Sequence, residues 1–233
     1  MISIPKTDIF QLFSFTHLVT IGIILLIGLI FAVIARSANC RNWVKPMSWF
    51  LAVVLLGNEL IFMTMIIRSG LWSYKWGFLL NICDLAIFAV VYSLIRHNQF
   101  IWEIAYFWGL GGTMQAVLTP DIHATFPEYM FFKFFITHGC IVIGVIFLAA
   151  GCKRPIHLRS VWRVWVTTNV YGVFILVFNW IFDTNYLYLC AKPSQSSIMD
   201  YLGPWPFYIF GLEILLIISL FLYYLPYFIS RKS

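Results

Sequence analysis

The sequence predicts an all-α integral membrane protein, a polytopic bundle of seven transmembrane helices. The 233 residues are 62% hydrophobic and only 10% charged, where an average soluble domain carries about 25% charged residues. The apolar stretches are long and lack strand-like alternation, so each backbone has to satisfy its own polar groups as a helix. At roughly 20 residues per crossing, seven crossings leave short loops and no room for a soluble domain, making 1–233 a single seven-helix unit.

The expected spans are about 17–35, 47–67, 76–95, 99–119, 129–151, 161–182 and 206–229. The first continues from Leu18 to Ala35, longer than a signal-peptide core, and reads as a retained helix. Asn58 and Glu59 fall in the second, and Asn81, Cys83 and Asp84 in the third. The fourth holds Glu103, Gln115 and the Gly109, Gly111, Gly112 set, which reads as a close helix contact. His138 lies in the fifth, Asn169 in the sixth and Glu213 in the seventh. The seventh span has no lysine, which excludes a retinal protein.

Loop charge sets the orientation. Arg36, Arg41, Lys45, Arg96, Lys153, Arg154, Arg159, Arg163, Arg231 and Lys232 fall on one side. Lys6, Arg68, Lys75 and Lys192 fall on the other, with Lys133 just inside span five. The positive-inside rule then puts the amino terminus outside and the carboxyl terminus in the cytoplasm. The net charge of +6 therefore reads as topology, not as a nucleic-acid surface. The one long connection, 183–205, lies on the outer side and is rich in aromatic residues and prolines. A short helix over Ser194–Leu202 ending at Gly203 is expected there, and the loop reads as an interfacial anchor or as a lid over a site.

Ionisable side chains inside a span are costly unless paired or hydrated, and by default mark a functional site facing the bundle interior. At 1.5 Å rise per residue, Cys83 and Glu213 lie about 10 Å below the outer ends of their spans, Glu59 about 12 Å, His138 about 13 Å and Gln115 about 6 Å. Several helices thus contribute polar groups to one outer-half layer. Glu103, near the cytoplasmic end, is expected to snorkel. The five cysteines are odd in number and lack metal-ligand spacing, so no disulfide framework is implied. A zinc centre needs about three ligands around an open position, and His138 is the one histidine well inside a span. No metal or other cofactor is implied.

These residue types leave three classes open. Cys83 with His138 at similar depth suits nucleophilic catalysis, because a buried thiol is inert unless a base takes its proton. Asn58, Asn81 or Gln115 could then stabilise an oxyanion, and Glu59 or Asp84 could orient the histidine. A transporter, channel or receptor would instead use the carboxylates and His138 to bind an ion, a proton or a small ligand. A lipid-binding scaffold would use the same cavity without turnover.

The ordered set Asn81-Ile-Cys83-Asp84-Leu85, Trp108-Gly-Leu-Gly-Gly-Thr113-Met-Gln115, Pro120-Asp121, His138-Gly139, Asn185-Tyr186-Leu-Tyr-Leu, Lys192-Pro193 and Leu202-Gly-Pro-Trp205-Pro206 resembles the YwaF family. These are bacterial membrane proteins related to the eukaryotic transmembrane-protein-164 acyltransferase. The likeness runs from span three into span seven. It implies a seven-helix acyltransferase of the bacterial plasma membrane that moves a fatty acyl chain between phospholipids, with membrane lipids as donor and acceptor. The matching positions imply that Cys83 carries the acyl chain as a thioester and that His138 is its base, in a transferase or a lipid hydrolase. Asn185, Tyr186, Lys192 and Trp205 mark the outer loop in the same pattern.

Overall fold

The computed structural model describes residues 10–37, 42–193 and 198–230, which contain helices and no strand. Lys6, Arg41, Arg231 and Lys232 of the charge argument, and residues 194–197 of the expected loop helix, lie outside the described residues. Five helices are long and apolar enough to cross a bilayer. They are α1 (Phe15–Arg36), α2 (Val44–Arg68), α6 (Tyr129–Ile146, continued by a π-helical turn Phe147–Gly151), α7 (Leu158–Phe182) and α8 (Phe207–Ser230). Between them stand α3 (Ile82–Ile95) and a composite rod made of α4 (Gln99–Trp108), a π-helical turn (Gly109–Met114) and α5 (Gln115–Leu118).

Local chemistry sets the ends. The Ser14 side chain accepts from the His17 amide to start α1, and Asn98 accepts from Ile101 to start α4. The α3 start is a capping box, with the Asp84 carboxylate accepting from the Asn81 amide at 3.1 Å. Here the structure departs from the expected span 76–95. Hydropathy continues unbroken through Trp76–Leu80, but the backbone is irregular up to Asn81 and α3 is 14 residues long. The irregular stretch is anchored by protein. The Tyr186 hydroxyl accepts from the Phe78 amide at 3.0 Å and donates to the Tyr74 carbonyl at 2.9 Å, and Tyr171 donates to the Leu80 carbonyl at 2.6 Å. Non-helical backbone near a membrane is stable only where such partners exist.

Helices α3, α4 and α6 form the centre, with α1 and α2 on one side and α7 and α8 on the other. The largest buried side chains include Trp102, Phe107, Leu51, Leu55, Ile87, Ile141 and Phe147. Lipid tails are as apolar as these residues, so close packing rather than water exclusion selects the partners. Small residues make it possible. A Cβ on Gly151 would sit 2.8 Å from Ala35 Cβ and 3.1 Å from Ala32 Cα, and one on Gly109 would sit 2.9 Å from Val145 Cγ2. The second contact bears out the close-packing reading of the glycine set at Gly109.

Candidate functional site

Cys83 is the second residue of α3, at the helix start rather than in mid-span. Its sulfur rests against the π-helical turn: a Cβ on Gly112 would lie 3.5 Å from Cys83 Sγ and 3.8 Å from Ile82 Cγ2. The neighbouring Thr113 hydroxyl is fully buried, meets no partner at full hydrogen-bond geometry and interacts with the Cys83 thiol. Cys83 and His138 are each surrounded by protein and yet keep some accessible surface.

His138 is oriented by its own helix. Its Nδ1 lies 2.8 Å from the Phe134 carbonyl, and the ring stacks on Phe134 with centroids 4.1 Å apart. A carbonyl can only accept, so in the neutral ring Nδ1 carries the hydrogen and Nε2 the lone pair. Neither Glu59 nor Asp84 fills the orienting role weighed for them, because the Phe134 carbonyl already occupies Nδ1. Helical register gives the depth. Ile141 and Val145, three and seven residues on from His138 along one face of α6, abut Gly109. One turn further along the rod and one turn back along α6 bring His138 to the level of Gly112 and Thr113, the residues that Cys83 meets.

Charge is concentrated beside this level. Glu59 Oε2 lies 3.0 Å from Lys133 Nζ, with side chains 6% and 14% exposed respectively. Sequence reasoning had left Lys133 at the boundary and offered His138 as the partner of Glu59. Lys133 takes that place because it sits one turn inside α6, with its ammonium 4.4 Å over the Phe62 ring. Asn58 donates to the Lys133 carbonyl at 3.1 Å and to Thr137 Oγ1 at 2.7 Å, riveting α2 to α6. Asp84 feels the charges of both Glu59 and Lys133, while its carboxylate also accepts from the Asn81 side chain at 3.1 Å.

Two expected members of the layer, Glu213 and Gln115, stand elsewhere. Glu213 is held between α7 and α8, accepting from Trp165 Nε1 at 3.0 Å and Asn169 Nδ2 at 3.3 Å. Gln115 is exposed, with its amide 3.5 Å from Thr119 one turn along the same rod. Glu103 does not snorkel. It is buried, accepting from Ser160 at 2.8 Å and Gln99 at 3.1 Å, and paired with Arg163 at 3.1 Å.

The segment after α7, from Asn185 to Ala191, lies against the start of α3. Asn185 folds it, donating to the Ala191 carbonyl at 2.8 Å and accepting from the Cys190 and Ala191 amides at 3.0 Å. Trp205 donates to the Leu189 carbonyl at 3.1 Å, and the Lys192 ammonium lies 5.7 Å from the Tyr208 ring centroid. The Leu187 amide points to Asn81 Oδ1 at 3.4 Å, and Tyr188 comes within electrostatic reach of Cys83. Leu187 and Tyr188 both have positive φ, 59° and 54°. Two successive non-glycine residues in the left-handed region are strained, and such strain gathers at functional sites. Sequence reasoning missed Lys133, Thr113 and Tyr188 as site residues. Thr113 was at least visible in the Trp108–Gln115 motif.

The family model described as the TMEM164 family matches residues 12–224. The chain belongs to the TMEM164 family. The matched region includes Cys83, His138, the π-helical turn Gly109–Met114 and the loop after α7, so all of these site residues lie within the TMEM164 match. No curated protein and no solved structure matches this TMEM164 chain. Among the described residues no group of three or more His, Cys, Asp or Glu side chains is arranged to hold a metal ion.

Proposed function

We propose that this TMEM164-family protein is a membrane-embedded acyltransferase that moves a fatty acyl chain between phospholipids through a thioester on Cys83, with His138 as general base. The chain is read as a YwaF-branch member of the bacterial plasma membrane, crossing it seven times with the amino terminus outside. One observation carries the reading: Cys83, at the start of α3, packs against the π-helical turn at the helical level of His138, whose Nε2 lone pair is left free by the Phe134 carbonyl.

The chemistry follows from those atoms. His138 Nε2 takes the Cys83 proton and the thiolate attacks a lipid ester carbonyl, forming an S–C bond while the carbonyl π pair moves onto oxygen. Collapse restores the carbonyl, breaks the ester C–O bond and expels the lysolipid alkoxide, which takes the proton from the His138 imidazolium. A hydroxyl of the acceptor lipid then gives its proton to Nε2 and attacks the thioester. The C–S bond breaks, and the returning thiolate recovers its proton from His138. The amide dipoles at the start of α3 favour negative charge on sulfur and on the reacting oxygen.

The full chain in phospholipid vesicles with a labelled acyl donor tests this. A Cys83 thioester, seen as a hydroxylamine-labile mass increase, and label on a second lipid are expected. Cys83→Ser should abolish the thioester and His138→Gln should slow transfer about 10²–10⁴-fold. Cys140→Ala should leave transfer unchanged, because Cys140 lies on the opposite face of α6 in a groove against α1. Full transfer by Cys83→Ala would overturn the reading.

A further inference from the structure

Resting on the acyltransferase reading, we propose that the Thr113 hydroxyl and the backbone amides of Ile82 and Cys83 form the oxyanion hole of the acyl-transfer site. Asn58, Asn81 and Gln115, the candidates by depth, have other engagements: Asn58 holds α6, Asn81 caps α3 and Gln115 faces outward.

Thr113 is fully buried, and its hydroxyl meets no partner at full hydrogen-bond geometry but interacts with the Cys83 thiol. Thr20, Thr64, Thr167 and Thr168 all donate to the carbonyl four residues back, at 2.7–2.8 Å, the usual way a hydroxyl is satisfied inside an apolar helix. Thr113 does not, because it stands in the π-helical turn Gly109–Met114, where the wider winding shifts that carbonyl out of register. Single π turns of this kind cluster at functional sites. The group the hydroxyl is left to meet is the Cys83 thiol.

The helix start supplies two further donors. The Asp84 and Leu85 amides both donate to the Asn81 carbonyl, at 3.0 and 3.1 Å. Helix geometry gives the Ile82 and Cys83 amides no carbonyl in α3. Gly112 stands next to the sulfur on the same turn, with a Cβ there 3.5 Å from Cys83 Sγ, an ordinary contact that fixes how closely the turn approaches. When Cys83 Sγ bonds to the ester carbon, the carbonyl oxygen lies within a bond angle of the sulfur. It gains a full negative charge there, as the π pair moves onto it, and loses it when the C–O bond breaks. Donors that meet charge present only in that interval act on the rate and leave lipid binding alone.

Thr113→Val keeps the shape and removes the hydroxyl, whereas Thr113→Ser keeps the hydroxyl and removes the methyl. Formation of the Cys83 thioester is followed in vesicles of a defined phosphatidylcholine at several lipid mole fractions, and folding is checked by thermal melting. Thr113→Val should acylate about 10²–10³-fold more slowly at saturating lipid, the loss typical of one oxyanion donor, with an unchanged half-saturation point. Thr113→Ser should stay within about threefold of the natural protein. Should Thr113→Val melt early, Thr113→Ala against Thr113→Ser gives the same hydroxyl comparison. Acylation by both hydroxyl-free variants at the natural rate would overturn the oxyanion hole while leaving the acyltransferase reading intact. Absence of a thioester on the natural protein would overturn both.

Discussion

Removing the Lys133 ammonium should destabilise the fold more than removing the carboxylate it faces. Lys133 Nζ and Glu59 Oε2 are 3.0 Å apart, an attraction of about 5–6 kcal/mol at an effective dielectric of about 20. Desolvation of the two groups cancels most of that attraction. Lys133→Met removes the attraction together with the desolvation of Lys133 itself, and leaves Glu59 buried with Asp84 as a like-charged neighbour. The expected loss is about 3–5 kcal/mol, the cost of an uncompensated buried charge. Glu59→Gln should cost about 1–3 kcal/mol, because Lys133 keeps Asp84 and the Phe62 ring. The double variant carries neither charge and should cost less than Lys133→Met alone. Unfolding by a graded denaturing detergent, read by intrinsic tryptophan fluorescence, yields the double-mutant cycle. Costs that add to within about 0.5 kcal/mol would refute the ion pair as the reason these residues sit here.

Gly151→Ala should lose about 1–3 kcal/mol because its Cβ would meet backbone and Cβ atoms of α1 that cannot swing aside. Gly172→Ala, which meets nothing within 4 Å, should be neutral or slightly stabilising in the same unfolding assay. Outside the spans, the Lys75–Asp183 bridge at 2.8 Å ties the segment before α3 to the end of α7. The Lys75 hydrogen bond holds the Asp183 carboxyl below its ordinary range, and the Asp183 partner raises the Lys75 ammonium. The Asp183 contribution is present above about pH 4 and fades as pH falls through its lowered value. The Lys75 contribution is present below about pH 10 and fades as pH rises through its raised value. A carboxyl carbon titration by NMR should show Asp183 moving up toward about 3.9 in Lys75→Met, and no movement would break the link.

Hydropathy made the long helices legible because α1, α2, α6, α7 and α8 each hold an apolar run whose length matches a bilayer. It could not mark the start of α3. Trp76 to Leu80 are as apolar as a helix interior, and what keeps them irregular is the Tyr186 and Tyr171 hydroxyls, far away in sequence. The partner of Glu59 was hidden for a related reason, since Lys133 near a helix end reads as a surface cation until the packing of α2 on α6 turns it inward. Depth counting brought Cys83, His138 and Glu59 into one layer, but depth carries no azimuth. Gln115 and Glu213 therefore shared the count while facing elsewhere. The tautomer of His138 was beyond the sequence altogether, resting on a carbonyl any residue could have supplied.

The π-helical turns make this protein sensitive to chain length where most membrane helices are indifferent. A π winding holds about one residue more than an α winding, so Gly109–Met114 behaves as a stored insertion within an otherwise α-helical rod. Deleting one residue there would leave the apolar content almost untouched and let the rod close into uniform α-helix. One residue fewer would then span the same winding, so the rod beyond would keep its facing while Gly112 and Thr113 could no longer both hold their places against α3. Lineages that kept or lost this single residue would look alike in a hydropathy profile and differ in what their fourth span presents to Cys83.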